Sequence, residues 1–340
     1  MGEVTASSLG EFREILGRLP GPDEAAAAQA AAREAQLTKP PGALARLEVL
    51  SEWMARWQGR HPPRIERPRA AVFAGNHGIA ARGVSAFPAE VTAQMVANFQ
   101  AGGAAVNQLC KTFDAELRVY EMALERPTAD FTQGPAMADG ECANAMAFGM
   151  MAVDDGIDVI CLGEMGIANT TSAAALCHAL FGGLAADWTG PGTGVAGDAL
   201  EAKTSIVAEA VALHRAALDD PFEIMRRLGG RELAAITGAV IAARMGRVPV
   251  LLDGYACTAA AAILHRIEPH LIDHCMVAHC SAEPGHVRLL EAIGRKPLLD
   301  LGMRLGEASG AVLALGLLRA AVGCHTGMST FAEAGVSSRD

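Results

Sequence analysis

The chain has 340 residues, 51% of them hydrophobic and 4% aromatic, with a formal net charge of -10. Such a length buries a large core; the acidic balance, with no stretch gathering Lys and Arg, excludes a nucleic-acid backbone as ligand, and the scarcity of aromatics excludes a base-stacking surface. The amino terminus, "MGEVTASSLGEF", lacks the basic, apolar, small-residue order of a secretory signal. The longest apolar stretches, read as 233–243 and 254–264, fall short of the roughly 20 residues that cross a bilayer. The expectation is a cytoplasmic protein, with no membrane partner, whose eight cysteines are free thiols.

In chain order, residues 22–58 read as helix. "DEAAAAQAAAREAQL" is rich in strong helix formers, "LARLEVLSEWMARW" spaces its apolar residues at three and four, and "TKPPG" breaks the two. From about residue 68 the rhythm becomes a short apolar run, a polar loop with glycine, then a helical stretch. "AAVFA" leads into "GNHG", "DVICL" into "GEMGIANTT", "VPVLL" into "DGY", "CMVAHC" into "SAEPG", and "KPLLDL" into "GMRLGEASG". That beat predicts an α/β fold with a parallel sheet, whose ligands bind beyond the carboxyl ends of the strands, where these loops lie.

"GIANTT" has the features of an anion site, because Asn169 and Thr170 fall where the first free N–H groups of a helix point outward. The same residues are also ordinary helix caps, and one loop alone does not separate the readings. Several loops together go beyond capping, because Glu164, Lys203, Ser281, Glu283 and Glu307 converge with them. "GPGTGVAG" (190–197) contains G-x-G-x-x-G at Gly192, Gly194 and Gly197, but "GGLAADWT" ahead of it makes a poor strand. A phosphate-approaching loop followed by Lys203 is expected in preference to a dinucleotide fingerprint.

Glu164 in "GEMG" and Glu307 in "LGEASG" each follow an apolar run, where partial burial would raise the carboxyl towards neutrality and suit a general base. Capping of the next helix is the alternative for either. His77 in "GNHG" reads as a site residue or as a backbone hydrogen-bond partner. In "HCMVAHC" (274–280) strand alternation sends the His and Cys side chains to opposite faces, and no second pair has zinc-site spacing, so no metal is expected. "VDDG" (153–156) lacks the Thr-Gly of an acidic pyrophosphate loop and no G-x-x-x-x-G-K-[ST] occurs, so the expected phosphate ligand is a monophosphate.

"LTKPPGALARLE", "GVSAFPAEVTAQMV", "GEMGIANTTSAAAL", "GPGTG", "LGGRELAAITGAVIAA", "PVLLDGY", "SAEPGH", "LDLGMRLGEASGA" and "TFAEAGVS" resemble, in the same order, blocks of the nicotinate-nucleotide:dimethylbenzimidazole phosphoribosyltransferase family of cobalamin biosynthesis, from about residue 37 to 337. The resemblance implies a doubly wound parallel sheet with helices on both faces, an α/β catalytic domain over 60–310, a small helical domain from 1–59 and 311–340, and a homodimer. It implies transfer of phosphoribose from nicotinate mononucleotide to 5,6-dimethylbenzimidazole with inversion, giving α-ribazole 5'-phosphate and nicotinate, with no metal or other cofactor.

Within the resemblance, Glu307 matches the general base and Glu164 a second site carboxylate. Asn169, Thr170, Gly192, Thr193, Gly194, Lys203 and Ser281 match positions that hold the nucleotide, and Phe87, Met165 and Leu305 fall where the aromatic base is sandwiched. The chain departs from the family at Asn76, where many members have Asp, at Phe87, polar in some, and at "VYEMALERPTADF", which lacks the usual glycine-containing strand end. The acceptor base and the roles of Asn76 and His77 stay open. Two rivals predict other behaviour: a dehydrogenase built on Gly192–Gly197 would bind dinucleotides, and a non-catalytic sensor would use Glu307 only as a helix cap.

Overall fold

A computed structural model describes residues 8–337. In chain order, α1 (Leu9–Leu16), α2 (Glu24–Glu34) and α3 (Arg46–Gln58) precede β1 (Pro68–Ala74). Then α4 (Glu90–Ala101) and α5 (Ala105–Thr112) lead to β2 (Glu116–Glu121), and α6 (Asp139–Met150) leads to β3 (Val159–Met165). Four helices follow, α7 (Asn169–Phe181), α8 (Asp198–His214), α9 (Pro221–Leu228) and α10 (Arg231–Met245), before β4 (Val250–Leu252). The chain ends with α11 (Tyr255–Ile267), β5 (Cys275–Val277), α12 (Pro284–Ala292), α13 (Ser309–Gly327) and α14 (Phe331–Ala334).

The strands form one parallel sheet in the order β2-β1-β3-β4-β5. Successive strand residues point to opposite faces, and this period divides the core in two. Phe73, Leu162, Leu252 and Val277 enter one cluster with α6, α7, α10 and α11; Val72, Cys161 and Leu251 enter the other with α3, α5 and α13. A parallel sheet covered on both faces has to read as a continuous apolar run, and β1 is buried along its whole length.

Two corrections concern the sheet edges. "KPLLDL" is not a strand of the ladder: Pro297 has no N–H to donate, and the run touches the edge briefly, Leu298 N–H donating to the Val277 carbonyl and Leu299 bridging His279. The opposite edge is β2, "ELRVYE", which the sequence hid because exposed Glu116 and Arg118 keep that edge solvated. The apolar stretches singled out in the sequence also missed α13, whose 19 residues include an 18-residue window with a mean hydropathy of 1.3, long and apolar enough to span a bilayer. It is a core helix here, with Ala311, Val312, Leu315 and Leu318 buried in the cluster that contains α3.

The chain ends are clamped together. Leu37 bridges Thr330, Arg33 donates to the carbonyls of His325, Thr326 and Met328, and His325 Nδ1 lies 2.6 Å from Glu34 Oε2. The helix α1 lies on the other face, where Leu9 and Phe12 enter the cluster that contains α6.

The closest helix pair among the described residues is α6 with α10. Gly149 rests on the Ala235 carbonyl and Gly238 on that of Met146, so a Cβ at either would overlap backbone. Gly149→Ala is expected to destabilise the fold, because overpacking costs about 1–3 kcal/mol against the roughly 1 kcal/mol that alanine gains as a helix former. A lower urea midpoint at unchanged m-value is the expected reading; an unchanged midpoint would mean that the helices part freely.

Candidate active site

The loops after β1, β3, β4 and β5, with the 190–197 and 302–308 loops, surround a pocket of about 430 Å³ at the carboxyl edge of the sheet. Glu164 lies near the end of β3, and its backbone carbonyl accepts the Glu307 N–H at 3.1 Å, so one contact brings two carboxylates to one wall. Asn169 Nδ2 donates to Glu164 Oε2. Burial pushes the Glu164 carboxyl up to about 8, with repulsion from Asp253, Glu232 and Glu307 added. Burial and Asp253 push Glu307 up to about 7. Glu307 is presented by three consecutive left-handed residues, Gly306, Glu307 and Ala308 (φ 84, 65 and 62°). The two that are not glycine each cost roughly 1–2 kcal/mol, so the loop is held there by its surroundings.

Across the pocket, left-handed Ala168 (φ 77°) turns the chain into α7, whose start has no side-chain cap and presents Asn169 and Thr170 to the cavity. Lys203 reaches in from α8 and donates to Thr170 Oγ1 and to the Gly190 carbonyl, each at 2.9 Å. Burial lowers its ammonium to about 8, while Glu283 acts in the opposite direction. The Gly192 N–H donates to Glu283 Oε1 at 2.8 Å, and its carbonyl accepts from Arg304 Nη1 at 2.9 Å. With φ 53° and Thr170 Oγ1 and Lys203 Nζ close by, this position has no room for a side chain. The Ser281 N–H donates to His286 Nδ1 at 2.9 Å, and burial holds that imidazole down at about 3, neutral and able to accept.

The mouth is apolar: Phe87 and Leu305 are 53% and 57% exposed, and Met165, Val91 and Met95 complete the lining. Thr193 joins this rim, its hydroxyl 2.8 Å from Ser85 Oγ and accepting the Ala86 N–H. The structure thus brings Glu164, Glu307, Asn169, Thr170, Gly192, Thr193, Ser281, Phe87, Met165 and Leu305 to one cavity. Lys203 supports its lining from behind, and Gly194 sits on the exposed side of its loop.

Other motifs have found partners elsewhere. His77 is buried, with Nε2 2.6 Å from Glu232 Oε1 and Nδ1 3.0 Å from Ser172 Oγ, joining the starts of α7 and α10. Asn76 Nδ2 donates to the Leu124 carbonyl. His274 Nε2 lies 2.9 Å from the Val240 carbonyl, and Asp154 of "VDDG" pairs with Arg69 and Arg118 at 2.9 and 2.7 Å. The G-x-G-x-x-G loop follows a 3-10 turn, Ala185–Asp187, where a dinucleotide fingerprint requires a strand. Sequence reasoning assigned nothing to Arg304, His279 or Asp253. The available signals were a cation inside the apolar block "LGMRLG", a histidine in phase with Cys275 and Val277, and an acid ending "VPVLLD".

The raised Glu164 carboxyl has a thermodynamic consequence. Its folded value near 8 exceeds the ordinary 4.5, so its contribution to stability is fully present below about 4.5 and is lost as pH rises through about 8. Glu164→Gln keeps an acceptor for Asn169 and removes the titration. The melting temperature of E164Q relative to wild type is expected to climb between those pH values; a difference independent of pH would refute the raised value.

A phosphoribosyltransferase family model matches residues 19–336. The nicotinate-nucleotide–dimethylbenzimidazole phosphoribosyltransferase of Rhizobium etli (strain CIAT 652) is 57% identical over 336 residues, covering 99% of each chain. That of Sinorhizobium fredii is 58% identical over 339 residues, 99% of this chain and 100% of its own. Among solved structures, CobT from Thermus thermophilus superposes with a TM-score of 0.87 at 42% identity, covering 93% of this chain and 100% of its own. Their agreement over nearly the whole length, around a pocket built from the same quoted blocks, means that this chain belongs to the nicotinate-nucleotide–dimethylbenzimidazole phosphoribosyltransferase family.

Proposed function

We propose that the chain transfers phosphoribose from nicotinate mononucleotide to 5,6-dimethylbenzimidazole, inverting the anomeric carbon to give α-ribazole 5'-phosphate and nicotinate, in the lower-ligand assembly of cobalamin. A cytoplasmic homodimer is part of the same reading. The observation that carries it is the polarity of the pocket: an uncapped helix start backed by Lys203 on one side, an apolar mouth, and a carboxyl near neutrality between them.

The phosphate goes to α7 because the comparable start of α13 is already filled, Asp253 Oδ1 accepting the Ala311 N–H at 2.9 Å. Thr170 and Lys203 complete the anion site, and Ser281 and the Gly192 turn enclose the ribose side. Phe87, Met165 and Leu305 hold the flat base by apolar contact. The benzimidazole nitrogen that carries no proton attacks the anomeric carbon while the N–H proton of the other ring nitrogen passes to Glu307. The bond to nicotinate breaks, and its electron pair returns to the ring nitrogen, which loses its positive charge. Arrival of that cationic ring offsets the burial and repulsion that raise the Glu164 carboxyl, and the carboxylate so formed supports positive charge developing on the ribose.

The test is to incubate the protein, in chelator, with nicotinate mononucleotide and dimethylbenzimidazole, following nicotinate and ribazole phosphate by chromatography and the anomer by NMR. Equimolar products in the α configuration are expected. Glu307→Gln is expected to lower kcat by about 10²- to 10⁴-fold with nucleotide affinity unchanged; near-normal turnover would remove Glu307 from the base role. A wild-type protein that binds the nucleotide and yields no product would be a sensor.

A further inference from the structure

We propose that Asp253 is a positioning residue for Glu307: from the end of β4 it caps α13 across the site and holds the left-handed Gly306–Ala308 loop in place. The helix has no cap of its own, since Ala308 at its start supplies no side-chain acceptor. Asp253 Oδ1 accepts the Ala311 N–H at 2.9 Å, and the amides of Gly310 and Ala308 face the same carboxylate. An acceptor from another strand therefore does what Ser, Thr or Asp ordinarily does within the helix sequence.

Asp253 is fully buried and lines no part of the pocket, so its effect on chemistry has to pass through the residues it holds. The loop is tied to β3 and to itself: Glu307 N–H donates to the Glu164 carbonyl, and Ser309 N–H to the Gly306 carbonyl. The Asp253 contact ties the first turn of α13, and with it the loop, to the end of β4. His279 closes the other side, its Nε2 3.6 Å from Asp253 Oδ1, with Gly254 and Gly310 laid against its ring so that the imidazole cannot turn away.

The charged and titratable groups around Glu307 are Glu164 from β3, Asp253 from β4, His279 beyond β5 and Arg304 in its own loop, with the Cys257 thiol of α11 beneath, kept neutral by burial. Among these, Asp253 adds to burial in pushing the Glu307 carboxyl up. One residue thus helps fix where the carboxyl stands and adds to the burial that raises it. The kinetic part of this inference rests on the transfer reaction proposed above, and the titration part does not.

The test compares Asp253→Asn with Asp253→Ala in the full-length protein. The asparagine keeps an acceptor for Ala311 and removes the charge; the alanine removes both. Infrared titration of glutamate-labelled protein, with the E307Q difference assigning the band, is expected to place the Glu307 carboxyl about one unit lower in D253N. The acid limb of the kcat profile should move the same way. For D253A, kcat is expected to fall about 10²-fold with KM for the nucleotide little changed, and D253N should restore most of the loss at alkaline pH. A Glu307 carboxyl unmoved in D253N, or a D253A protein with wild-type kcat, overturns the proposal. Should D253A not fold, the D253N titration decides alone; should wild type make no product, the transfer reading fails and the titration still decides on Asp253.

Discussion

Glu164 and Glu307 stand in one desolvated region beside Asp253, and the burial of their carboxyls, with repulsion from Asp253 added, is the constraint on which the site depends. Burial disfavours the charged form, so the Glu164 and Glu307 carboxyls hold their protons up to about 8 and about 7. Neither nearby Lys nor Arg pairs with these two carboxyls: Lys203 is bonded to Thr170 and Gly190, and Arg304 to the Gly192 carbonyl. The pocket therefore has an acidic wall that retains protons and a basic wall that has none to spare. A ligand that is cationic at one end and anionic at the other is the one whose binding lowers both penalties, and the proposed nucleotide has that polarity.

The walls differ although the loops that build them are alike. Each runs from a glutamate through a left-handed alanine, Ala168 or Ala308, into a helix without a side-chain cap of its own. One such start is filled by an internal carboxylate; the other has no side-chain cap and lines the cavity through Asn169 and Thr170. A single acid at the end of β4 therefore distinguishes two otherwise similar helix starts.

Much of this is legible in the sequence alone. The strand-loop-helix beat locates β1, β3, β4 and β5 and the loops that meet at the pocket, because buried parallel strands read as apolar runs whichever residues compose them. The edge strand β2 is not legible, since Glu116 and Arg118 make it read as loop. Asp253 is invisible as a site residue for a different reason: its partner amide, Ala311, is 58 residues away, and backbone donors leave no mark on a sequence. Burial of the His77–Glu232 pair is hidden likewise, because Glu232 opens α10 with the look of an ordinary first-turn acid.

The helix that carries Glu307 at one end is gripped at the other. α13 is 19 residues long, about 28 Å at 1.5 Å per residue, and near its far end Arg33 and Glu34 fasten it at the carbonyls of its last turn and at His325. It is a strut with one bearing in the reaction chamber and one under the amino-terminal helices. Its axial position is thereby set from both ends, so α2, none of whose residues lines the pocket, helps to align the residues that do.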